Sequence, residues 1–380
     1  MINALKEKFI ELFGCSHDLI VRAPGRINLI GEHTDYNDGF VLPAAIDKAI
    51  YIAISKRNDE EIHLYSMDFK ESYITDINSL KPVKSWATYI TGVVAQYLKK
   101  DFPIKGFNLV MHGDIPIGAG LSSSAAVECS VAFALNEIFQ LSIDKIELVK
   151  MAQKAEHEFA GVKCGIMDQF ASMMGKQNHV VRLDCRTLEY EYFPLTMKDI
   201  SIVLMDTGVK HSLASSEYNT RRLQCEEGVA AIQKKYPEVH KLRDATVAML
   251  NETVHADSVI YKRCLYMIQE IERVQTACID LNNNLLEEFG EKMFETHTGL
   301  SELYAVSCEE LDFLVNSVKN NSAVIGARMM GGGFGGCTIN LIKNDSIESV
   351  IKHVAEKYHK AFNRTLVTYT VKIEDGVSVI

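Results

Sequence analysis

The residues best suited to chemistry in this sequence lie in three short polar segments, and the first of them is rich in glycine and serine. It runs from Gly118 to Ala126, between a strand-like run and a long helix-forming run. A glycine-rich turn that leads into a helix presents free backbone N–H groups and the positive end of the helix dipole, which both favour an anion, most often a phosphate. The hydroxyls of Ser122, Ser123 and Ser124 can also donate to phosphate oxygens or bind Mg²⁺.

A simpler interpretation of the same segment is a strand-to-helix connection that Ser122 caps, although three consecutive serines exceed what one cap requires. The lysine of a P-loop is absent, because Ala125 and Ala126 follow the last serine. A nucleotide bound here would therefore lie in a different cradle from the P-loop.

The second polar segment extends from Arg22 to Asn37 and contains the run GRINLIGEHTDYN. Its cations, carboxylates, histidine and amides together can satisfy the hydroxyls of one sugar, since each hydroxyl both donates and accepts. The alternative is a solvated loop with Asx-turns at Asp35 and Asn37. A metal site at Glu32 and His33 lacks a third ligand at plausible spacing.

The third polar segment, from Cys164 to Phe170, places Asp168 among apolar neighbours. A carboxylate that lies beside a cation and a substrate hydroxyl is a candidate general base or orienting group. A helix N-cap is an equally good interpretation of Asp168. Glu156, in a predicted helix, could supply an oxygen to magnesium, although the default position for a helical glutamate is the surface.

A later glycine cluster, from Gly331 to Gly336, matches the pattern G-x-G-x-x-G, but a strand-like run follows it where a dinucleotide-binding fold has a helix. We therefore expect a tight turn with positive φ, or a close backbone approach to a ligand. The segment from Ser216 to Arg222 begins a helical region, in which Tyr218 could face a ligand.

The elements that must position these segments follow from the hydrophobic periodicity. The predicted strands are Leu19 to Ala23, Ile46 to Ser55, Ile62 to Met67, Phe107 to His112, His179 to Leu183, Ile200 to Asp206, Cys337 to Ile342 and Thr365 to Val371. The predicted helices are Met1 to Phe13, Trp86 to Lys99, Ala125 to Phe139, Asp144 to Phe159, Cys164 to Met174, Ser215 to about Gly290 and Ser346 to Phe362. This irregular alternation predicts an α+β architecture.

The composition limits the class of protein and its partners. The chain has 380 residues, enough for two or three domains, and a net charge of −10, which argues against nucleic acid and anionic membranes as partners. No apolar run approaches the length of about 18 residues that suggests a membrane helix. The nine scattered cysteines favour free thiols in a reducing compartment, so we expect a cytoplasmic protein.

Together these segments resemble the galactokinase family, which belongs to the GHMP group of small-molecule kinases. The run from Gly25 to Tyr36 is similar to the galactokinase signature, Gly118 to Ala126 to the group's nucleotide-binding motif, and Gly331 to Gly336 to its third motif. The match extends from about residue 20 to 340. Relatives often have threonine and alanine where this chain has Met330 and Gly332, and we expect this difference to alter packing without loss of activity.

The resemblance implies phosphorylation of galactose at its anomeric hydroxyl, with ATP as co-substrate and Mg²⁺ as the metal, early in galactose catabolism. Asp168 would be the base, and Arg26 would hold it ionised and stabilise the transferring phosphoryl group. The implied sugar-binding residues are Glu32, His33, Thr34, Asp35, Gly165 and Tyr218. The implied ATP-binding residues are Ser66, Gly118, Ala119, Gly120, Leu121, Ser122, Ser123 and Ser124. The implied metal ligands are Ser124 and Glu156.

The resemblance also implies a two-lobed GHMP kinase fold of the α+β class with the active site between the lobes. The first lobe, residues 1–190, would be ribosomal-S5-domain-2-like and completed by the C-terminal tail. The second lobe, residues 191–380, would be ferredoxin-like, with helices and a sheet. We expect a monomer. Two alternatives stay open: a related kinase for N-acetylgalactosamine or arabinose, and a non-catalytic galactose sensor.

Overall fold

The computed structural model describes residues 1–116, 118–195, 197–209 and 214–380, with only the backbone described at 214–216. Ile117, within the glycine- and serine-rich segment, and the side chain of Ser216 therefore lie outside the described part. The α-helices are α1 Ile2–Phe13, α2 Ala87–Lys99, α3 Ser123–Phe139, α4 Lys145–Ala155, α5 Met167–Met174, α6 Ala214–Gln233, α7 Val247–Thr253, α8 Val259–Asn282, α9 Leu286–Thr298, α10 Glu309–Val318 and α11 Ile347–Phe362. The strands are β1 Leu19–Asn28, β2 Phe40–Val41, β3 Pro43–Lys56, β4 Glu61–Ser66, β5 Glu71–Asp76, β6 Phe107–Gly113, β7 His179–Asp184, β8 Tyr190–Pro194, β9 Ile200–Asp206, β10 Val324–Met329, β11 Cys337–Lys343, β12 Val367–Val371 and β13 Ser378–Val379.

The largest sheet has six strands in the order β13-β1-β3-β6-β4-β5. Its pairs are antiparallel except β4 with β6, which are parallel, and the chain runs from β4 to β6 through β5 and α2. The strand β1 continues past the predicted Ala23 to Asn28, with a register shift between Pro24 and Arg26. Arg26 therefore lies in a buried strand, where the sequence had suggested the start of a polar stretch.

A second, antiparallel sheet has the order β10-β11-β9-β12, and its apolar face packs on α10 and α11. A third sheet joins β2, β7 and β8. The long helical region predicted after Ser215 is four helices, α6 to α9, which begin and end at separate caps. The glycine cluster connects β10 to β11, so the prediction that a strand follows it is confirmed.

The predicted strands and helices correspond to elements of the structure, but the strands β2, β5, β8, β10 and β13 and the helix α10 were not predicted. β5 is a mostly exposed edge strand, ESYITD, whose polar residues weaken the strand signal. The predicted helix from Cys164 begins only at Met167, because residues 161–165 form a connection without regular secondary structure. Among the described residues, no helix combines the length and apolar character needed to cross a membrane.

Gly290 brings α9 into close contact with β10. A Cβ atom at this position would lie 2.0 Å from the Ile325 carbonyl oxygen. We predict that Gly290→Ala pushes the helix off the strand and lowers the free energy of unfolding by about 1–3 kcal/mol. Urea unfolding followed by circular dichroism measures this change.

The control is Glu291→Ala, which changes the adjacent, exposed residue of the same helix. It should alter stability by less than about 0.5 kcal/mol. A Gly290→Ala variant as stable as the control would contradict the close packing.

Candidate active site

The predicted catalytic residues and, except for Thr34, the predicted sugar-binding residues surround one cavity of about 230 Å³. Segments far apart in the sequence form its walls, so the fold brings together residues that the sequence keeps separate. The lining residues are Arg26, Glu32, His33, Asp35, Glu156, Val162, Cys164, Gly165, Met167, Asp168, Tyr218 and Gly332. The cavity is therefore lined mainly by groups that can bind hydroxyls.

An ion pair between Arg26 and Asp168 lies in this cavity. The Arg26 Nε and Nη2 atoms donate to the two carboxylate oxygens of Asp168 at 2.8 and 2.9 Å. Burial alone would lower the pKa of Arg26, but Asp168 and Glu32 outweigh it and raise that pKa. Asp168 lies in the first turn of α5, whose N-cap is Ile166, so the N-cap interpretation of Asp168 is wrong.

The serine loop joins the same ion pair. Ser122 occupies the N-cap position of α3 in the left-handed region, φ 57°, and its side chain does not cap the helix. Its hydroxyl instead donates to Asp168 Oδ2 at 2.5 Å, and Arg26 Nη1 donates to the Gly120 carbonyl at 2.5 Å. No described side chain therefore caps the N-terminus of α3. Its backbone N–H groups can instead bind an anion.

Glu156 is a buried residue that lies in one turn of π-helix after α4, so the default surface position is wrong for it. The Ser124 hydroxyl donates to Glu156 Oε1 at 3.3 Å, and Gln169 Nε2 donates to Oε2 at 2.7 Å. Burial, with a contribution from the charge of Asp168, raises the pKa of Glu156 to about 7. A divalent cation would relieve this charge, and the two oxygen donors suit Mg²⁺.

These two donors cannot hold a metal ion by themselves. Among the described residues, no group of three or more histidine, cysteine, aspartate or glutamate side chains is arranged to hold one. A magnesium ion at Ser124 and Glu156 would therefore take its other ligands from a bound anion or from water, as magnesium at nucleotides does.

His33 is a buried, neutral histidine. Burial lowers its pKa to about 3. Its Nδ1 atom lies 2.9 Å from the Tyr36 hydroxyl, and its ring centroid lies 5.2 Å from that of Tyr218. Its Nε2 atom is buried without a hydrogen-bond partner among the described residues, so a ligand hydroxyl could provide one.

Thr34, next in the chain, is fully buried and does not line the cavity. Its hydroxyl donates to the carbonyl oxygens of Gly31 and Phe40 at 3.0 and 2.6 Å. The side chain therefore holds the turn of the sugar-binding segment, and its predicted contact with the sugar stays a prediction.

Asp35 and Gly165 are in direct contact. A Cβ atom at Gly165 would lie 1.7 Å from Asp35 Oδ2, so only glycine leaves this carboxylate in place. Burial, followed by the charges of Asp168 and Glu32, raises the pKa of Asp35 to about 7.

A larger cavity of about 790 Å³ lies on the other side of Ser123 and Ser124, which help to line it. Its remaining walls are mostly apolar, and its aromatic members are Phe69, Trp86, Tyr89 and Phe159. These residues were not predicted, although Trp86 is the single tryptophan of the chain. Ser66 lies behind this wall, and its hydroxyl accepts the backbone N–H of Phe69 at 3.3 Å.

The glycine cluster approaches the serine loop, and two of its glycines show different constraints. A Cβ atom at Gly333, where φ is 86°, would lie 2.1 Å from the Val306 carbonyl oxygen. A Cβ atom at Gly332 would meet only Tyr218, at 3.7 Å. Alanine in relatives would therefore fit at Gly332, whereas Met330 is buried with its N–H bonded to Cys337.

Two buried polar residues of this region, Gln169 and Arg328, were also not predicted as functional. Gln169 donates through Nε2 to both Glu128 and Glu156, at 3.0 and 2.7 Å, and fixes the latter carboxylate. Arg328 is fully buried and forms an ion pair with Glu32. The position of Gln169 next to Asp168 could have indicated its role. In contrast, no local feature of the sequence indicates that Arg328 contacts Glu32.

Comparison with known proteins places the chain among characterised sequences over its whole length. The galactokinase galactose-binding signature matches residues 7–56, the GHMP kinases N terminal domain matches residues 88–176, and the GHMP kinases C terminal model matches residues 277–360. Galactokinase of Thermotoga maritima is 41% identical over 95% of this chain and 99% of its own. Galactokinase of Clostridium acetobutylicum is 40% identical over 100% and 99%.

A solved structure gives the same result for the fold. The crystal structure of Lactococcus lactis galactokinase complexed with galactose superposes with a TM-score of 0.96 and 34% identity, covering 99% of each chain. This agreement, together with the two matching kinase domains, confirms the predicted α+β, two-lobed fold.

The raised pKa of Asp35 makes the stability of the protein depend on pH. In the folded state Asp35 keeps its proton up to about pH 7, whereas in the unfolded state it keeps the proton only up to about pH 3.8. The stability of the fold therefore decreases as the pH rises from 3.8 to about 7. The loss is complete above this range and absent below it. We predict that Asp35→Asn raises the melting temperature more at about pH 8 than at about pH 5.5. Scanning calorimetry at both pH values measures the difference.

Asp101→Asn is the control, since Asp101 is exposed and also adopts a positive φ that asparagine tolerates. Its effect on the melting temperature should be small and equal at both pH values. An Asp35→Asn variant that behaves in the same way would contradict the raised pKa.

Proposed function

Because the chain belongs to the galactokinase family of GHMP kinases, we propose that it transfers the γ-phosphoryl group of ATP to the anomeric C1 hydroxyl of D-galactose, which gives galactose 1-phosphate and ADP. One observation carries the assignment of the site: the Asp168 carboxylate, held by Arg26, lies in a small polar cavity and also accepts from the first serine of the anion-binding loop. The base and the phosphate cradle are therefore in contact.

Asp168 acts as the general base. Its carboxylate accepts the proton of the C1 hydroxyl as the oxygen attacks phosphorus, and the bidentate guanidinium of Arg26 orients the carboxylate. Arg26 also stabilises the negative charge on the transferring group, because its charge is fixed and partly desolvated. Phosphoryl transfer needs this positioning and charge neutralisation more than covalent chemistry.

The nucleotide lies along the serine loop. The backbone N–H groups from Gly118 to Ser124 receive the phosphates, with the α3 dipole behind them. The cavity with the aromatic wall accommodates the base and ribose, and Ser66 supports that wall through Phe69. Ser124 and Glu156 would hold Mg²⁺, which would neutralise charge on the phosphates.

The sugar fills the smaller cavity. Glu32 and Asp35 accept from its hydroxyls, and neutral His33 contributes a ring nitrogen that has no other partner among the described residues. Tyr218 forms one wall, and Gly165 leaves space for the Asp35 carboxylate. Thr34 acts through the turn that it holds.

The chain divides into a first lobe of residues 1–190 and a second lobe of residues 191–380. The pairing of β13 with β1 supports the assignment of the tail to the first lobe, and the pairing of β8 with β7 supports a boundary a few residues after 190. Nine free cysteines fit the cytoplasm, and the monomeric state stays a prediction.

Release of ADP in a coupled assay tests the function. We predict turnover with galactose that exceeds turnover with glucose, N-acetylgalactosamine, arabinose and mevalonate. Asp168→Asn, which preserves the shape of the side chain, should lower kcat by at least about a hundredfold, the usual contribution of a general base. Galactose binding, measured by calorimetry, should persist in this variant.

A flat response to galactose would overturn the proposed function, and preference for another sugar would correct the substrate. Binding of galactose and ATP by the wild type without any ADP release would favour the sensor. Full turnover by Asp168→Asn would remove Asp168 from the base role.

The contact between Asp35 and Gly165 gives a second prediction for the same site. Gly165→Ala forces the Asp35 carboxylate to move, and we predict that KM for galactose rises by about tenfold or more, equivalent to about 1.4 kcal/mol. Gly332→Ala, which adds a methyl group to the same cavity at an ordinary contact distance, should change KM by less than about threefold. Steady-state kinetics at saturating ATP decide between these values, and equal effects of the two variants would contradict the role of Gly165.

A further inference from the structure

We propose that Arg328, Tyr266 and Glu270 are positioning residues that fix the Gly31–Glu32 step of the sugar-binding segment and thereby aim the Glu32 carboxylate at the sugar. The inference rests on the proposed function, because it assigns these three residues to the sugar half of that site. They lie on α8 and β10, far along the chain from the segment that they hold.

The strongest of the three contacts is the ion pair between Arg328 and Glu32. Arg328 is 0% exposed and Glu32 is 2% exposed, and Arg328 Nη1 also donates to the Asn28 carbonyl at 3.1 Å. Burial raises the pKa of Glu32, while the charges of Arg328 and Arg26 oppose this change. Arg328 is therefore the nearest support for an ionised carboxylate in a place that water scarcely reaches.

The other two contacts hold the backbone on either side of this carboxylate. Glu270, which is 0% exposed, accepts the Gly31 N–H at 2.8 Å through Oε1. The Tyr266 hydroxyl donates to the Glu32 carbonyl at 3.1 Å. The backbone groups on both sides of the Gly31–Glu32 peptide bond, the Gly31 N–H and the Glu32 carbonyl, are thus hydrogen-bonded to side chains of α8.

Glu270 is itself fixed, so it can act as an anchor. Arg273 forms an ion pair with its carboxylate, and the Thr296 hydroxyl lies 2.9 and 3.1 Å from the two oxygens. Gly31 allows the approach, since a Cβ atom there would lie 2.8 Å from Val274 Cγ2. The segment is therefore pressed against α8 and cannot move away without breaking buried hydrogen bonds.

Arg328 does not line the cavity, whereas Glu32 does. Loss of Arg328 would leave a buried carboxylate unpaired, which protonates or turns away. A protonated Glu32 is no longer an acceptor-only group, so its match to the sugar hydroxyls changes. Galactose recognition should suffer, whereas Arg328, Tyr266 and Glu270 are not among the residues that line the ATP cavity.

The experiment compares KM for galactose, KM for ATP and kcat in the full chain. Arg328→Met should raise KM for galactose by about tenfold or more, since truncating one partner of a buried charge pair is costly. KM for ATP should stay within about twofold of the wild-type value. Lys292→Met, which breaks a partly buried ion pair with Asp280 in the same lobe, is the control and should change neither KM.

A double-mutant cycle separates positioning from a general loss of stability. If Arg328 acts through Glu32, then Arg328→Met should add less than about twofold to KM for galactose in a Glu32→Gln background. Additive effects, or equal increases in both KM values, would overturn the proposal.

Tyr266→Phe gives a second test that keeps the packing and removes one oxygen atom. It should raise KM for galactose about threefold, the effect of a lost neutral hydrogen bond. If Arg328→Met does not fold, this variant decides, and an unchanged KM overturns the proposal. Because each variant is measured against a wild type that phosphorylates galactose, failure of the positioning role is distinguishable from failure of the proposed function, in which the wild type itself is inactive.

Discussion

The ion pair between Arg26 and Asp168 is the interaction on which the rest of the site depends. Each partner comes from a different element, β1 and α5, and the pair also holds the serine loop, through the Gly120 carbonyl and the Ser122 hydroxyl. A buried guanidinium with three hydrogen bonds to two residues has little freedom, so it fixes the relative positions of β1, α5 and the serine loop. The six-stranded sheet and its helices place these elements around it.

Charge balance is the second constraint on this region. Glu32, Asp35, Glu128 and Glu156 have raised pKa values, chiefly because of burial. Without a ligand, this excess of buried carboxylates over cations lowers the stability of the folded state. Such strongly shifted pKa values are common at functional sites. At the proposed site, Mg²⁺ bound with ATP would reduce the excess of negative charge at Glu156, and sugar hydroxyls would give Asp35 hydrogen-bond donors.

The sequence predicted what is encoded locally and missed what the fold brings together. The serine loop, Asp168 and the sugar-binding segment are continuous motifs, so their residue types revealed them. Arg328 lies 296 residues from Glu32, and no periodicity or spacing links them. The aromatic wall of the larger cavity is similar, because an aromatic residue in sequence is more often part of a core than of a binding site.

The pairing of β13 with β1 has a consequence for the order in which the enzyme is made. Arg22, four residues before Arg26, donates to the Asp375 carbonyl 353 residues later, and β1 pairs with Ser378 and Val379. The edge of the first sheet therefore stays open during synthesis until those residues leave the ribosome. The strand that carries Arg26 thus acquires its neighbour β13 only after Ser378 and Val379 have been made, so a product truncated before these residues cannot complete that sheet.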